Sequence, residues 1–146
     1  MSLILPRALY DDLRAHGEAT YPNECCGILL GNADTDALRV TQLLRAGNTR
    51  TDSAHNRYNI APSELIAAQR QARDQGLDIV GFYHSHPDHP AQWSSTDFAE
   101  AHWFGCAYVI TAVAHGRATD TNSFLLTGTT EEDKAFQNQP IQLTRD

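Results

Sequence analysis

The stretch Asp78-Ile79-Val80-Gly81-Phe82-Tyr83-His84-Ser85-His86-Pro87, continued by Asp88-His89-Pro90-Ala91-Gln92-Trp93-Ser94-Ser95-Thr96-Asp97, decides how this chain is read. Asp78 to Tyr83 opens with a short apolar run, the pattern of a buried strand. His84 and His86 then stand at i and i+2, and on an extended backbone residues two apart point to one face. A loop with two prolines follows. Ser94-x-x-Asp97 runs into Phe98-Ala99-Glu100-Ala101-His102-Trp103, which reads as a helix with a Ser/Thr cap. Two imidazoles thus leave a strand end, and a carboxylate returns on the first turn of a helix. Two histidines and one aspartate suit a zinc ion with one coordination position left for water. Plainer readings stand beside this one. Ser94 and Asp97 can form a cap alone, with Asp97 favoured by the helix dipole, and His-Ser-His can be a polar surface loop. The combination at this spacing favours the metal.

Outward from that stretch, the chain interleaves helices and strands. Pro6 to about Thr20 reads as a first helix, with Leu9 and Leu13 four apart. Tyr21-Pro22-Asn23 breaks it. Glu24 to Leu30 reads as a buried strand with one charge at its entry, and Ala37 to Arg45 as its hairpin partner. Ala46 to Arg57 is polar and reads as a loop, and Tyr58-Asn59-Ile60 as a short strand. Pro62 to Gln75 is a second helix, closed by Gly76 at a C-terminal cap position. Ala107 to Val113 is rich in β-formers and reads as a central strand. His115 to Asp120 is a turn, Ser123 to Thr127 a further strand, and Ile141 to Thr144 a last one in a polar tail. This order predicts an α/β fold: one domain over residues 1–146, with a mixed β-sheet sandwiched by helices.

Composition sets the outer limits. The chain has 146 residues, a length that fits one core, with 41% hydrophobic and 20% charged residues. No apolar run reaches the ~20 residues that span a bilayer. The start lacks the charged and apolar regions of a signal peptide, so a cytoplasmic protein is expected. A net charge of −7 without a basic run argues against nucleic-acid binding. Cys25, Cys26 and Cys106 form no C-x-x-C pair and read as reduced core residues.

His84-x-His86-Pro87 followed by Ser94-x-x-Asp97 resembles the JAMM (MPN-plus) metalloprotease motif, in its small bacterial form. The resemblance adds a glutamate on an early strand, and Glu24 in Asn23-Glu24-Cys25-Cys26-Gly27 stands at that position. It extends through Arg57-Tyr58-Asn59-Ile60-x-Pro62 and covers most of the chain up to about Leu126. It implies a JAB1/MPN fold similar to cytidine deaminases. It implies one zinc per chain held by His84, His86 and Asp97, with Glu24 as general acid/base and Ser94 helping to bind the oxyanion. The implied activity is hydrolysis of a peptide or isopeptide bond, with the C-terminal tail of a ubiquitin-like sulfur carrier as the expected partner, or a short peptide. One departure is visible: Trp93 stands where the family usually places a proline before this serine.

Two alternatives stand beside this reading. A non-catalytic MPN-type scaffold would typically lack the ligand set. His84-x-His86-x-Asp88-His89 also matches the dinuclear motif of metallo-β-lactamase-type hydrolases, but Pro90-Ala91-Gln92 is not the small Gly-rich turn expected after it. His102, five residues past Asp97, points away from it on a helix, and His16, His55 and His115 read as surface residues. Oligomeric state has no signature in the chain.

Overall fold

In the computed structural model, residues 1–49 and 58–145 are described. Strand β1 (Ser2–Pro6) leads into helix α1 (Arg7–Thr20), then β2 (Cys26–Ala33) and β3 (Ala37–Ala46) form a hairpin. Helix α2 (Pro62–Asp74) precedes β4 (Asp78–Pro87), and α3 (Ser95–Glu100) precedes β5 (Ala107–Ala114). The chain continues through β6 (Arg117–Thr127), β7 (Ala135–Gln139) and β8 (Ile141–Thr144). The strands form one mixed sheet in the order β7-β6-β5-β4-β2-β3-β1-β8. The β4–β5, β1–β3 and β1–β8 pairs are parallel, and the other pairs antiparallel. β7 and β8 lie at opposite edges of this order, yet only Pro140 separates them in sequence. The sheet must therefore curl until its edges approach each other.

The expected α/β architecture is thus found. Four local expectations are corrected. A short strand, β1, precedes the first helix, and Pro6 ends that strand rather than entering the helix. β6 begins at Arg117, inside the stretch read as a turn, and a polar strand, β7, lies in the tail. Tyr58-Asn59-Ile60 is not a strand. The loop read at Ala46 to Arg57 falls largely at residues 50–57, outside the described residues, as does His55.

Two apolar cores follow from the alternation of side chains along the central strands. Leu13 of α1 packs with Leu3, Leu29, Tyr83 and Val109 on one face. Ala68 and Ala72 of α2 pack with Ile28, Leu30, Phe82 and Tyr108 on the other. A bulge between Leu29 and Leu30, opposite Val80, resets the alternation of β4. Phe82 then faces α2 while Val80 and Tyr83 face α1. Gly27 has no Cβ because one there would run into the Tyr83 ring. The three cysteines are free and buried. Among the described residues no helix is long and apolar enough to cross a membrane.

Candidate metal centre

β4 sits between β2 and β5 and is buried along nearly its whole length. Its corrected alternation puts His84 and His86 on the same face as Phe82, at the strand's C-terminal end. His84 is 2% exposed, and its Nε2 lies 3.2 Å from His86 Nε2. Asp97 arrives on the first turn of α3, with Oδ1 3.3 Å from His84 Nε2 and Oδ2 3.0 Å from His86 Nε2. The ligand atoms of His84, His86 and Asp97 all lie within 4.8 Å of one another. His86 Nδ1 stands 2.9 Å from the Pro90 carbonyl, which can only accept. Its proton therefore sits on Nδ1, and the Nε2 lone pair faces the cluster. Two imidazole nitrogens and a carboxylate oxygen converging on one buried point fit a divalent zinc.

The cap and the metal reading turn out to coexist. Ser94 Oγ accepts from the Asp97 amide at 3.0 Å, while Asp97 Oδ2 accepts from the Ser94 amide at 2.9 Å, a reciprocal capping box. The Ser94 hydroxyl accepts in this bond, so its own proton stays available to donate.

Glu24 lies just ahead of β2, whose Cys26 pairs with His84. Its carbonyl accepts from Asn48 Nδ2 at 3.2 Å, and its side chain is 4% exposed. Burial pushes its carboxyl up from 4.5 to about 8; His86 works against this, and Asp97 and Glu100 add to it. Burial would also raise Asp97, but its bonds to His84 and His86 outweigh burial and hold it well below the usual carboxylate range. Burial lowers His84. Among the described residues three buried side-chain polar atoms lack a hydrogen-bond partner, and two of them belong here: Glu24 Oε1 and His84 Nδ1.

A cavity of about 410 Å³ opens beside these groups, lined by Glu24, His86, His89, Trp93 and Ser94 among others. Trp93 is 41% exposed and rests on Phe98 and Phe136, with ring centroids 5.4 and 5.5 Å away. A second cavity, about 290 Å³, is lined by Tyr58, Phe82 and Tyr108 among others. Tyr58 stacks on His84 at 4.5 Å. The sequence reading gave Tyr58 no role, although it stood in a matched stretch.

The other histidines stand apart. His89 is exposed and outside the cluster. Asp88 accepts from the Tyr21 hydroxyl and the His115 amide, so the dinuclear pattern does not assemble around it. His102 pairs with Glu131 at 2.8 Å. His115 is exposed as expected, but His16 is buried, with Nδ1 2.7 Å from the Tyr83 hydroxyl. Helix α1 lies against the sheet, which a helix-surface reading of His16 missed.

The chain is similar to known proteins in sequence and in fold. The family described as prokaryotic homologs of the JAB domain matches residues 6–127. A desampylase of Haloferax volcanii is 37% identical over 89 residues, covering 61% of this chain and 62% of that protein. A probable TtuB-protein conjugate cleaving protease of Thermus thermophilus is 32% identical over 101 residues, covering 69% of this chain and 64% of that protein. The match thus spans somewhat less than two thirds of either relative. The solution structure of a Desulfitobacterium hafniense protein superposes with a TM-score of 0.82 at 26% identity, over 99% of this chain and 94% of that one.

Proposed function

The chain belongs to the prokaryotic JAB-domain family, and from that premise we propose that it is a zinc-dependent metallopeptidase cleaving a peptide or isopeptide bond at the C-terminal tail of a ubiquitin-like sulfur carrier. Residues 1–146 act in this reading as one catalytic domain. The observation that carries it is the convergence of three ligand atoms within 4.8 Å beside a buried Glu24 whose Oε1 has no partner among the described residues. The names of the two relatives, a desampylase and a conjugate cleaving protease, support the choice of substrate.

His84, His86 and Asp97 would hold the metal, one ion per chain. Zinc, when bound, supplies a Lewis acid that polarises the scissile carbonyl and makes a water nucleophilic near neutral pH. The chain's own residues do the rest. Glu24 takes the proton of the attacking water and passes it to the leaving nitrogen. Burial raises the proton affinity of its carboxyl, so the proton it takes can be held and handed on near neutral pH. Ser94 donates its free hydroxyl proton to the oxygen on which charge develops. Pro90 fixes the His86 tautomer, and the Tyr58 ring holds the His84 plane. The cavity walled by Trp93 lies on the Glu24 side, where the leaving group departs. Glycines before the scissile bond would let an extended tail approach the histidines closely, since they lack a Cβ.

The test uses zinc-loaded protein, a sulfur carrier with one extra residue after its terminal Gly-Gly, and linked diubiquitin. The expected result is release of the extra residue. Rapid diubiquitin cleavage with an untouched carrier would overturn the substrate choice.

A further inference from the structure

Helix α3 carries Asp97 and is capped by Ser94, yet it has little with which to hold its own position. It is six residues long and buries none of them fully. Helices this short are marginal without outside support. Its N-terminal end is closed by the capping box, which is internal to the segment. Asp97 itself meets His84 and His86 there, and the remaining polar tie to the body of the protein lies at the other end and comes from far along the chain.

The Lys134 side chain is 4% exposed, unusual burial for an ammonium. Its Nζ donates to the carbonyls of Phe98 at 2.8 Å, Ala99 at 3.4 Å and Ala101 at 3.1 Å. It also lies 4.8 Å from the Phe98 ring centroid and 2.9 Å from Glu131 Oε2. A helix end leaves its last carbonyls without partners, and a cation there both answers them and opposes the dipole. The turn that delivers Lys134 is itself fixed. Asp133 accepts from the amides of Thr129 and Thr130 and from the Thr130 hydroxyl. Two residues on, Phe136 packs its ring 5.5 Å from that of Phe98. Glu131, Asp133, Lys134 and Phe136 lie beyond the matched family span of 6–127.

We propose that Lys134 is a positioning residue for Asp97, clamping the C-terminal end of α3 so that the carboxylate stays in register with His84 and His86. The inference rests on the zinc reading above. Asp97 immediately precedes Phe98, whose carbonyl takes the shortest of the three bonds. Metal sites tolerate displacements of only a few tenths of an ångström, so a helix free to swing at this end weakens the site without losing a ligand.

The experiment measures zinc affinity of the full chain by competition with a chromophoric chelator, alongside urea denaturation of each metal-free variant. Lys134→Met keeps the apolar stem and removes the donors. It is expected to bind zinc on the order of tenfold more weakly, the scale of a lost supporting contact. Lys134→Arg, which restores a cationic donor, is expected to recover most of that loss. Leu13→Ala, cut into the core on the opposite face, is the control for lowered stability alone. Wild-type zinc affinity in Lys134→Met would overturn the proposal, as would an equal loss in Leu13→Ala. Zinc uptake by the unaltered chain separates the two readings, because its absence would remove the metal site itself.

Discussion

The two faces of β4 are built from alternate residues of one strand and are finished in opposite ways. On the α1 face, Tyr83 donates or accepts at His16, and Ser85 Oγ accepts from the Cys25 amide at 2.8 Å. These polar groups have their partners inside apolar packing. On the α2 and α3 face, His84, His86 and Asp97 crowd together, while Glu24 Oε1 and His84 Nδ1 go without partners among the described residues. Unpartnered buried groups cost stability, and concentrating them in one place marks the face that has work besides folding. The difference teaches where to look on a strand: not at burial, which is the same on both faces, but at which side leaves its polar atoms unanswered.

The strongest way to break this contrast is to remove a ligand. His84→Ala or Asp97→Ala is expected to lose most of the zinc and all measurable turnover, read by metal analysis of the purified chain. Full zinc retention in Asp97→Ala would take that residue out of the site and reduce it to a helix cap.

A smaller change sharpens the contrast by keeping the metal. Glu24→Gln is expected to retain zinc while turnover falls about 10²–10⁴-fold, the range of a lost proton carrier. The same substitution carries a stability signature in the metal-free chain. The Glu24 carboxyl ionises near 4.5 when unfolded and near 8 when folded. Between those values folding takes up a proton, so metal-free stability falls as pH rises through the window. The penalty is absent below pH 4.5 and complete above pH 8. Glu24→Gln should therefore be more stable than the parent at pH 8.5 and equal to it near pH 4, by urea denaturation. Parallel pH profiles in the two chains would show that Glu24 is not held protonated by burial.

Much of this was legible in the sequence because it rests on local periodicity. His84 and His86 share a face through the two-residue repeat of a strand, and Ser94 with Asp97 carried the signature of a cap. Glu24 was different. A single carboxylate at a strand entry has no local pattern, and only the family resemblance singled it out; its approach to His86 depends on β2 pairing with β4. The misses share a cause. β1 is five residues ahead of a helix, and β7 is a polar edge strand with Phe136 as its one large apolar residue. Neither has a local pattern of its own: β1 owes its form to β3 and β8, far along the chain, and β7 to its hairpin neighbour β6. The burial of Lys134 is equally invisible, since nothing local says that a lysine in a polar tail will close a helix end.

The smallest expected effect tests the quiet face. Tyr83→Phe removes one hydroxyl and keeps the ring that covers Gly27. The loss strands His16 Nδ1, which has burial as the main cause of its lowered pKa, with Arg45 lowering it further and Asp12 opposing. A buried nitrogen left without its partner costs about 1–3 kcal/mol. The expected result is a drop of that size in urea denaturation with zinc affinity unchanged, because the hydroxyl points to α1 and the imidazoles of His84 and His86, which follow it in sequence, point away. The near neighbour in sequence, His84, should show the reverse: its removal abolishes zinc binding. A Tyr83→Phe chain that lost zinc as His84→Ala does would mean that the two faces of β4 are coupled, and that the α1 side is part of the site rather than its support.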